Sequence, residues 1–407
     1  MNNRELFPLL ARAARNWPHD VAVVRGSHRL TFRQLKSAVE NLAAALLRAD
    51  ITAGRKVGLL CVNGPEYVIG SFALFLVGGI VVPIFPGLKR YEITNLSMEM
   101  ALDAYCYSPQ FSERLGTERT GEPLTIDLLQ GLMKLQIERC RRHSGHADNR
   151  LLSLGAPMLR FTSGTTSRAK GVIIPQSSMI EYTKRFSNSY SIKKGDCILD
   201  LLSMAHIFYQ VAAGLLKGAK LVVEDATQID AVIRSIRDNR VTQIEAAPSF
   251  YSMLLAAPGI EAKDFRDVRY ITSCGAILRD DVAAEFRGRF GREIVQRYGL
   301  TETGPVLINL SEDPKNRGSL GAAAPGCEIK LEATGALPDE KNRGEILVRC
   351  PGLFQGYYKP WTPPEETLAD GWFRTGDIAR KDSTGNFWIV GRVKTAINVG
   401  GVKVWRN

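Results

Sequence analysis

Between Cys197 and Phe290 the chain repeats one alternation four times: a short apolar run, then a segment whose apolar residues recur at helical spacing. The runs predict strands at Cys197–Leu202, Lys220–Val223, Gln243–Ala247 and Tyr270–Ser273. The segments predict helices at Phe208–Leu216, Ile229–Asn239, Ser249–Ala256 and Asp280–Phe290. Strands separated by whole helices favour parallel pairing, with the helices covering the sheet faces. The first hundred residues have the same texture: helical spacing from Leu30 to Ala49, then a short strand from Val57 to Val62. Next comes "YVIGSFALFLVGGIVVPIF" (Tyr67 to Phe85), nearly free of charge and almost long enough to span a bilayer. Gly78-Gly79 and the β-branched run ending at Pro83 argue against a span. They predict a buried helix to Val77, a glycine turn and a buried strand from Ile80 to Ile84. Residues 107–155 are polar and aperiodic and are expected to be a connector. From Leu320 to Val404 the chain turns β-rich, with many Gly and Pro residues.

With 407 residues there is room for a large core and more than one folding unit. The net charge of +11 favours anionic partners such as phosphates or carboxylates. No Lys/Arg-rich run of nucleic-acid type accompanies it, so no nucleic-acid partner is expected. The nearest, "IERCRRHSGH" (Ile137 to His146), reads as a solvated helix end. Seven cysteines without a CxxC pair suit reduced thiols in a cytoplasmic protein rather than a zinc site. The N-terminus has no apolar core of signal-peptide type.

"LRFTSGTTSRAKGVIIPQ" (Leu159 to Gln176) carries five Ser/Thr side chains in six positions, then Lys170. Such a loop can converge backbone N–H groups and hydroxyls on one anion, with the lysine adding charge suited to phosphate. It can equally be a polar hairpin turn between strands Leu159–Phe161 and Val172–Ile174. A Walker loop is excluded, because Lys170 precedes Gly171 and a strand rather than opening a helix. Three further motifs bear on the choice. "RYGLTETG" (Arg297 to Gly304) places a ring, a glycine, a hydroxyl and a carboxylate in one turn. "DGWFRTGD" (Asp370 to Asp377) ends in a carboxylate, and "GRVKTAINVGGVKV" (Gly391 to Val404) holds two cations two residues apart. Together they describe a site for a nucleoside triphosphate with Mg²⁺.

In these motifs, and in "LTFRQL", "SCGAIL" and "GEILVRCPGLFQGYYKPWTPPEETLADGWFRTGD", the chain resembles the adenylate-forming superfamily: acyl- and aryl-CoA synthetases, luciferases and peptide-synthetase adenylation domains. The resemblance implies an α/β fold with two βα-type sheets flanked by helices and a β-rich, barrel-like subdomain. The expected division is a large domain over residues 1–390, with βα subdomains at about 1–160 and 161–315 and the β-rich part at about 316–390. Residues 391–407 would be the hinge and first strands of a further domain. The implied reaction has two halves: a carboxylate attacks the α-phosphorus of ATP, giving acyl-AMP and pyrophosphate, and a thiol then displaces AMP. CoA is the expected acceptor, with a carrier-protein phosphopantetheine arm as the alternative and a nucleotide-binding remnant without turnover as the remoter one.

The resemblance also implies roles. Thr162, Ser163, Gly164, Thr165, Thr166 and Lys170 match the phosphate loop; Gly275 and Ala276 would line the adenine and Tyr298 stack on it. Thr301 would contact the α-phosphate, Glu302 hold Mg²⁺, Asp377 and Arg392 take the ribose, and Lys394 mark the hinge. His206 would sit at the acid pocket, lined also by Phe208, Cys274, Leu300 and Gly304. The loop departs from the family's usual "TTGxPKG" at Ser167 and Ala169, which should loosen it without removing a phosphate contact. No aspartate suited to a substrate amine appears near His206, which disfavours an amino acid substrate; fatty, alicyclic and aryl acids stay open. The end at Asn407, inside the strand-like "VKV" region, is read as a truncation after the hinge, and this chain alone is expected to be strongly impaired in adenylation.

Overall fold

The computed structural model describes residues 6–405 apart from 117–118, 130, 141–146, 156–157, 163–169, 312, 334–341, 394–395 and 400–401, and apart from the side chains of 162, 206–207, 396–399 and 402–405. Two large sheets carry most of the chain. The first has nine strands in the order Ala322–Ala323, Gly304–Ile308, Val295–Leu300, Tyr270–Ser273, Gln243–Ala246, Cys197–Asp200, Lys220–Val223, Val21–Arg25, His28–Thr31. Its six central strands are mutually parallel, and antiparallel strands close both edges. The second has seven strands in the order Arg119–Asp127, Lys134–Cys140, Ala104–Tyr107, Lys56–Leu60, Ile80–Pro83, Met158–Thr162, Lys170–Ile174, again parallel in the middle. A smaller antiparallel sheet follows, built from Glu328–Glu332, Arg343–Arg349, Leu368–Ala369, Trp372–Lys381 and Phe387–Arg392.

The pleat sorts the strand side chains into layers, because neighbours along a strand face opposite ways. Val23, Ile198 and Leu221 join Val57, Leu59 and Val81 in one central core, together with side chains of helices Phe32–Arg48, Pro65–Val77, Gln176–Ser189 and Met204–Leu216. Val24, Leu199 and Val222 turn to the other side, against helices Ile229–Asn239, Pro248–Ala256 and Asp280–Phe290. Leu60, Ile80 and Val82 do the same in the second sheet, against helix Arg90–Met100. Helices therefore lie between the two sheets and on both outer faces. The apolar segment at 67–85 is one of these buried helices: it ends at Val77, and Gly78 closes it with a left-handed φ of +75° before strand Ile80–Pro83. Among the described residues no helix is long and apolar enough to cross a membrane.

Three expectations are corrected. The helix expected from Leu30 begins at Phe32; Leu30 and Thr31 end a strand, and Thr31 caps the helix by accepting from the Gln34 N–H at 3.2 Å. The connector at 107–155 contains two paired edge strands. Leu135, Ile137 and Cys140 are buried, but the outer strand Arg119–Asp127 is almost wholly solvated and so shows no apolar period. Ile137–Cys140, read as a helix end, finishes the inner of those strands, and 141–146 lie outside the described residues.

Candidate active site

In the nine-stranded sheet the strand Lys220–Val223 lies on one side of Cys197–Asp200 and Gln243–Ala246 on the other. The winding direction therefore reverses between Cys197–Asp200 and Gln243–Ala246. A crevice forms at such a reversal, beyond the carboxyl ends of the strands. A cavity of about 440 Å³ occupies that place, lined by residues at or just past the carboxyl ends of four parallel strands: Leu202 and Ser203, Ala247, Cys274 to Ala276, and Gly299 to Thr301. The expected site residues Gly275, Ala276, Cys274, Leu300 and Thr301 are thus brought together. Phe208, expected beside them, is instead fully buried among Tyr67, Phe72 and Phe75 in the central core.

The turn at Thr301–Thr303 depends on close backbone approach. Gly304 has φ +63°, and a Cβ there would stand 2.5 Å from the Tyr182 ring; one on Gly299 would stand 2.1 Å from the Gly304 carbonyl oxygen. The Arg185 guanidinium donates to the Thr303 and Pro305 carbonyls at 3.0 and 3.1 Å, and Tyr182 Oη donates to the Glu302 carbonyl at 3.0 Å. Gly299→Ala is accordingly expected to cost roughly 1–3 kcal/mol of unfolding free energy, read by chemical denaturation. An unchanged midpoint and slope would show that the turn has room.

Three sheets supply the charged residues around this turn. Strands Met158–Thr162 and Lys170–Ile174 form a hairpin in which Thr162 pairs with Lys170. Ser163, Gly164, Thr165 and Thr166, and the Thr162 side chain, lie outside the described residues. Residues 354–358 stitch the hairpin to the turn: Gln355 N–H donates to Ile173, Tyr358 N–H to Gly171 and Phe354 N–H to the Glu302 carbonyl. This places Lys170 Nζ 4.8 Å from the centre of the Tyr357 ring, while Tyr357 Oη donates to Glu302 Oε1 at 3.1 Å. Glu302 is 9% exposed, and burial pushes its carboxyl above the usual range, opposed by Tyr357, Lys170 and Arg392.

Asp377 and Arg392 are direct cross-strand partners in the smaller sheet. Arg392 Nε lies 2.6 Å from Asp377 Oδ1, and Tyr298 Oη donates to Oδ2 at 2.7 Å. Burial, then the Asp377 charge, raises the Tyr298 hydroxyl, keeping it a donor. A carboxylate has further lone pairs on each oxygen, so Asp377 can still accept from a ligand. It sits within strand Trp372–Lys381, not at a turn. His206 falls in the first turn of helix Met204–Leu216, which starts earlier than expected; its side chain and Lys394 lie outside the described residues.

Sequence reasoning missed several residues here. Arg297 donates to Tyr209 Oη at 2.6 Å and to Glu245 Oε2 and Cys274 Sγ at 3.0 Å each, all buried or nearly so. Arg160 and Tyr209 also line the cavity. Tyr357 falls within the motif Gly344–Asp377, whose residue types by themselves give it no role. A buried arginine inside an apolar strand, as at Arg160, was the available signal.

A parallel α/β sheet with its cavity at the reversal point, and with lysine, arginine and carboxylate side chains gathered around the turn that follows the lining residue Thr301, defines a nucleotide-type enzyme site. Comparison with known proteins agrees. The AMP-binding enzyme family matches residues 10–358. An indoleacetate–CoA ligase of Aromatoleum aromaticum is 28% identical, over 98% of this chain and 81% of its own length. A feruloyl-CoA synthase of Amycolatopsis is likewise 28% identical, over 100% of this chain and 82% of its own. The solved O-succinylbenzoate coenzyme A synthetase of Bacillus subtilis in complex with AMP superimposes with a TM-score of 0.80 at 22% identity, covering 98% of this chain and 81% of that one. The chain belongs to the AMP-binding enzyme family. Its reaction type is that of the AMP-forming acid–thiol ligases: ATP-dependent formation of an acyl adenylate, then thioester formation.

Proposed function

We propose that this cavity holds ATP and a small carboxylic acid side by side, that Mg²⁺ assists the first step, and that CoA takes the acyl group in the second. The observation that carries the reading is the meeting of Lys170, Tyr298, Glu302, Asp377 and Arg392, drawn from three sheets, around one turn beside the cavity. The physical task is to bring two anions together. Lys170 and the loop Thr162–Thr166 would hold the β- and γ-phosphates and Thr301 the α-phosphate. Gly275 and Ala276 would flank the adenine, Tyr298 would stack on it, and Asp377 and Arg392 would hold the ribose. Lys394 is assigned to a hinge. No protein nucleophile is needed, since the carboxylate itself attacks phosphorus.

The donor set at Glu302 suits Mg²⁺. Among the described residues no cluster of three or more His, Cys, Asp or Glu could cage a metal, and Mg²⁺ is commonly held by one or two carboxylates together with substrate phosphates. When bound there it would offset phosphate charge as a Lewis acid. All seven cysteines are free thiols, which suits a cytoplasmic setting.

The test is acid-dependent ATP–pyrophosphate exchange over a panel of fatty, alicyclic and aryl acids, followed by transfer to CoA or to a carrier-protein arm. Exchange with at least one acid is expected. The reading fails if no acid supports exchange and AMP does not bind. Within it, His206→Ala is expected to change acid selectivity while leaving AMP affinity within about twofold, as for a residue that makes no nucleotide contact. Equal losses of AMP and acid binding would remove His206 from the acid pocket.

A further inference from the structure

Strands Glu328–Glu332 and Arg343–Arg349 run antiparallel, and Glu328 stands opposite Arg349 at the end of their ladder. One step further along that register, Cys327 stands opposite Cys350. The next pair keeps the same register, since a Cβ on Gly326 would lie 4.0 Å from Pro351 Cδ. Opposed residues of an antiparallel pair have Cα atoms roughly 4.5–5.5 Å apart, inside the roughly 4.4–6.8 Å that a disulfide spans. The pleat turns both thiols to the side of Ile329 and Val348, at the margin of the central core, while Glu328 and Arg349 pair on the outer face. The Cys327 thiol donates to Cys350 Sγ, which also accepts from the Arg185 guanidinium. The bond from Cys327, and then Arg185, hold the Cys350 thiol below the usual range against the effect of burial; the same bond raises Cys327. Both residues are part-exposed. A second pair of neighbouring thiols, Cys61 and Cys106, is only 1% and 0% exposed, and burial pushes both upward.

We propose that Cys327 and Cys350 are a reversible redox site, which hydrogen peroxide closes into a cross-strand disulfide, and that the closed form acts through Arg185 on the turn carrying Glu302. The Cys350 thiolate attacks one peroxide oxygen. The O–O bond breaks, the sulfur becomes a sulfenic acid, and the other oxygen leaves as hydroxide and takes up the proton the thiol gave off. The Cys327 sulfur then attacks the sulfenic sulfur: the S–S bond forms, the S–O bond breaks, and the hydroxyl leaves with the Cys327 proton as water. Two thiols are oxidised and one peroxide is reduced to two waters. Arg185 is the route to the active site. Besides Cys350 Sγ it donates to the Pro351, Thr303 and Pro305 carbonyls at 2.7, 3.0 and 3.1 Å. Bridging draws Cys350, and the Pro351 carbonyl beside it, toward Cys327, and it replaces an ionisable sulfur by an uncharged one. Two of the acceptors that seat the guanidinium therefore change together, and the other two flank Gly304 in the turn. Arg185 is a positioning residue in this account.

The experiment treats the full chain with hydrogen peroxide, blocks the remaining thiols by alkylation, and maps tryptic peptides by mass spectrometry before and after dithiothreitol. Trypsin can cut at Lys330, Arg343 and Arg349, between the two cysteines, so a bridge shows as a linked peptide pair. A Cys327–Cys350 link is expected, reversed by dithiothreitol, with none joining Cys61 to Cys106. Pyrophosphate exchange with an accepted acid is expected to fall about fivefold or more on oxidation, at the lower end of coupling between two sites, and to return with dithiothreitol. Cys327→Ser and Cys350→Ser are expected to start at the parental rate and to keep it in peroxide. Oxidation of Cys274 in the cavity would instead slow parent and variants alike. Absence of the linked peptide, or sulfinic acid at Cys350 in its place, overturns the redox site. A link that leaves exchange unchanged, or serine variants that lose as much as the parent, overturns the route through Arg185. If neither serine variant folds, the parent's peptide map and its recovery with dithiothreitol still decide the bridge. No exchange with any acid overturns the ligase reading, and the peptide map, which needs no turnover, still decides the bridge.

Discussion

Glu302→Gln is expected to lower acid-dependent pyrophosphate exchange by roughly 10²–10³-fold, the usual loss when one preorganised electrostatic partner is removed from a transition state. Excess Mg²⁺ should not restore it, because the amide is a weak ligand at the same position. The side chain keeps its shape and can still accept from Tyr357 Oη, so the surrounding turn should stay intact. The stability consequence has a definite sign. Burial raises the Glu302 carboxyl above its unfolded value, so the ionised form is disfavoured by folding. The stabilisation of the protonated form is full below the unfolded value and is lost as pH rises through the raised folded value. At pH 7 and above, without nucleotide or metal, the glutamine variant should therefore melt no lower than the parent, and higher if the carboxylate is ionised there. Lys170→Ala should be the milder change, since Lys170 is solvent-exposed and stands against the Tyr357 ring rather than in a hydrogen bond with Glu302. Parental exchange rates in both variants, or a marked fall in melting temperature for Glu302→Gln, would sink this assignment.

Asp377→Ala is expected to weaken AMP binding by roughly 10–100-fold, equivalent to the about 1.5–3 kcal/mol carried by a charge-assisted hydrogen bond. The substitution strips a partner from Tyr298 and from Arg392 at once. It should affect the free acid far less, because the Asp377 contacts lie in the smaller sheet and on Tyr298. Asp377→Asn serves as the control: it keeps an oxygen for Tyr298 but loses the ion pair with Arg392, so an intermediate affinity is expected. Calorimetry with AMP alone makes the measurement. Unchanged AMP affinity in the alanine variant would reduce Asp377 to a structural partner of Tyr298.

Much of the local structure was legible without coordinates. Helices Ile229–Asn239 and Asp280–Phe290 and strands Lys220–Val223 and Tyr270–Ser273 have the bounds that periodicity predicts. Each is long or apolar enough for its own residues to set the pattern, with Gly291 closing the second helix in a left-handed conformation. The solvated edge strand at Arg119–Asp127 was illegible because its order comes from pairing with Lys134–Cys140, not from burying an apolar face. The charged motifs were legible as motifs, since Tyr298, Glu302 and Asp377 lie in short runs of distinctive chemistry.

Their partners were not. That Tyr357 links Lys170 to Glu302, or that Arg297 meets Glu245 across 52 positions, depends on which strands become neighbours. Strand order is decided by long-range packing. Val21–Arg25 and His28–Thr31 leave the N-terminal strands and join the sheet formed by residues 197–323, because Val23 and Val24 complete apolar layers on both its faces. The sequence by itself determined the α/β class, the elements and the residue chemistry available for a nucleotide and an acid, because these follow from local period and composition. Only the tertiary structure decided where the winding reverses and which side chains line the cavity there, because those depend on contacts between segments far apart in the chain.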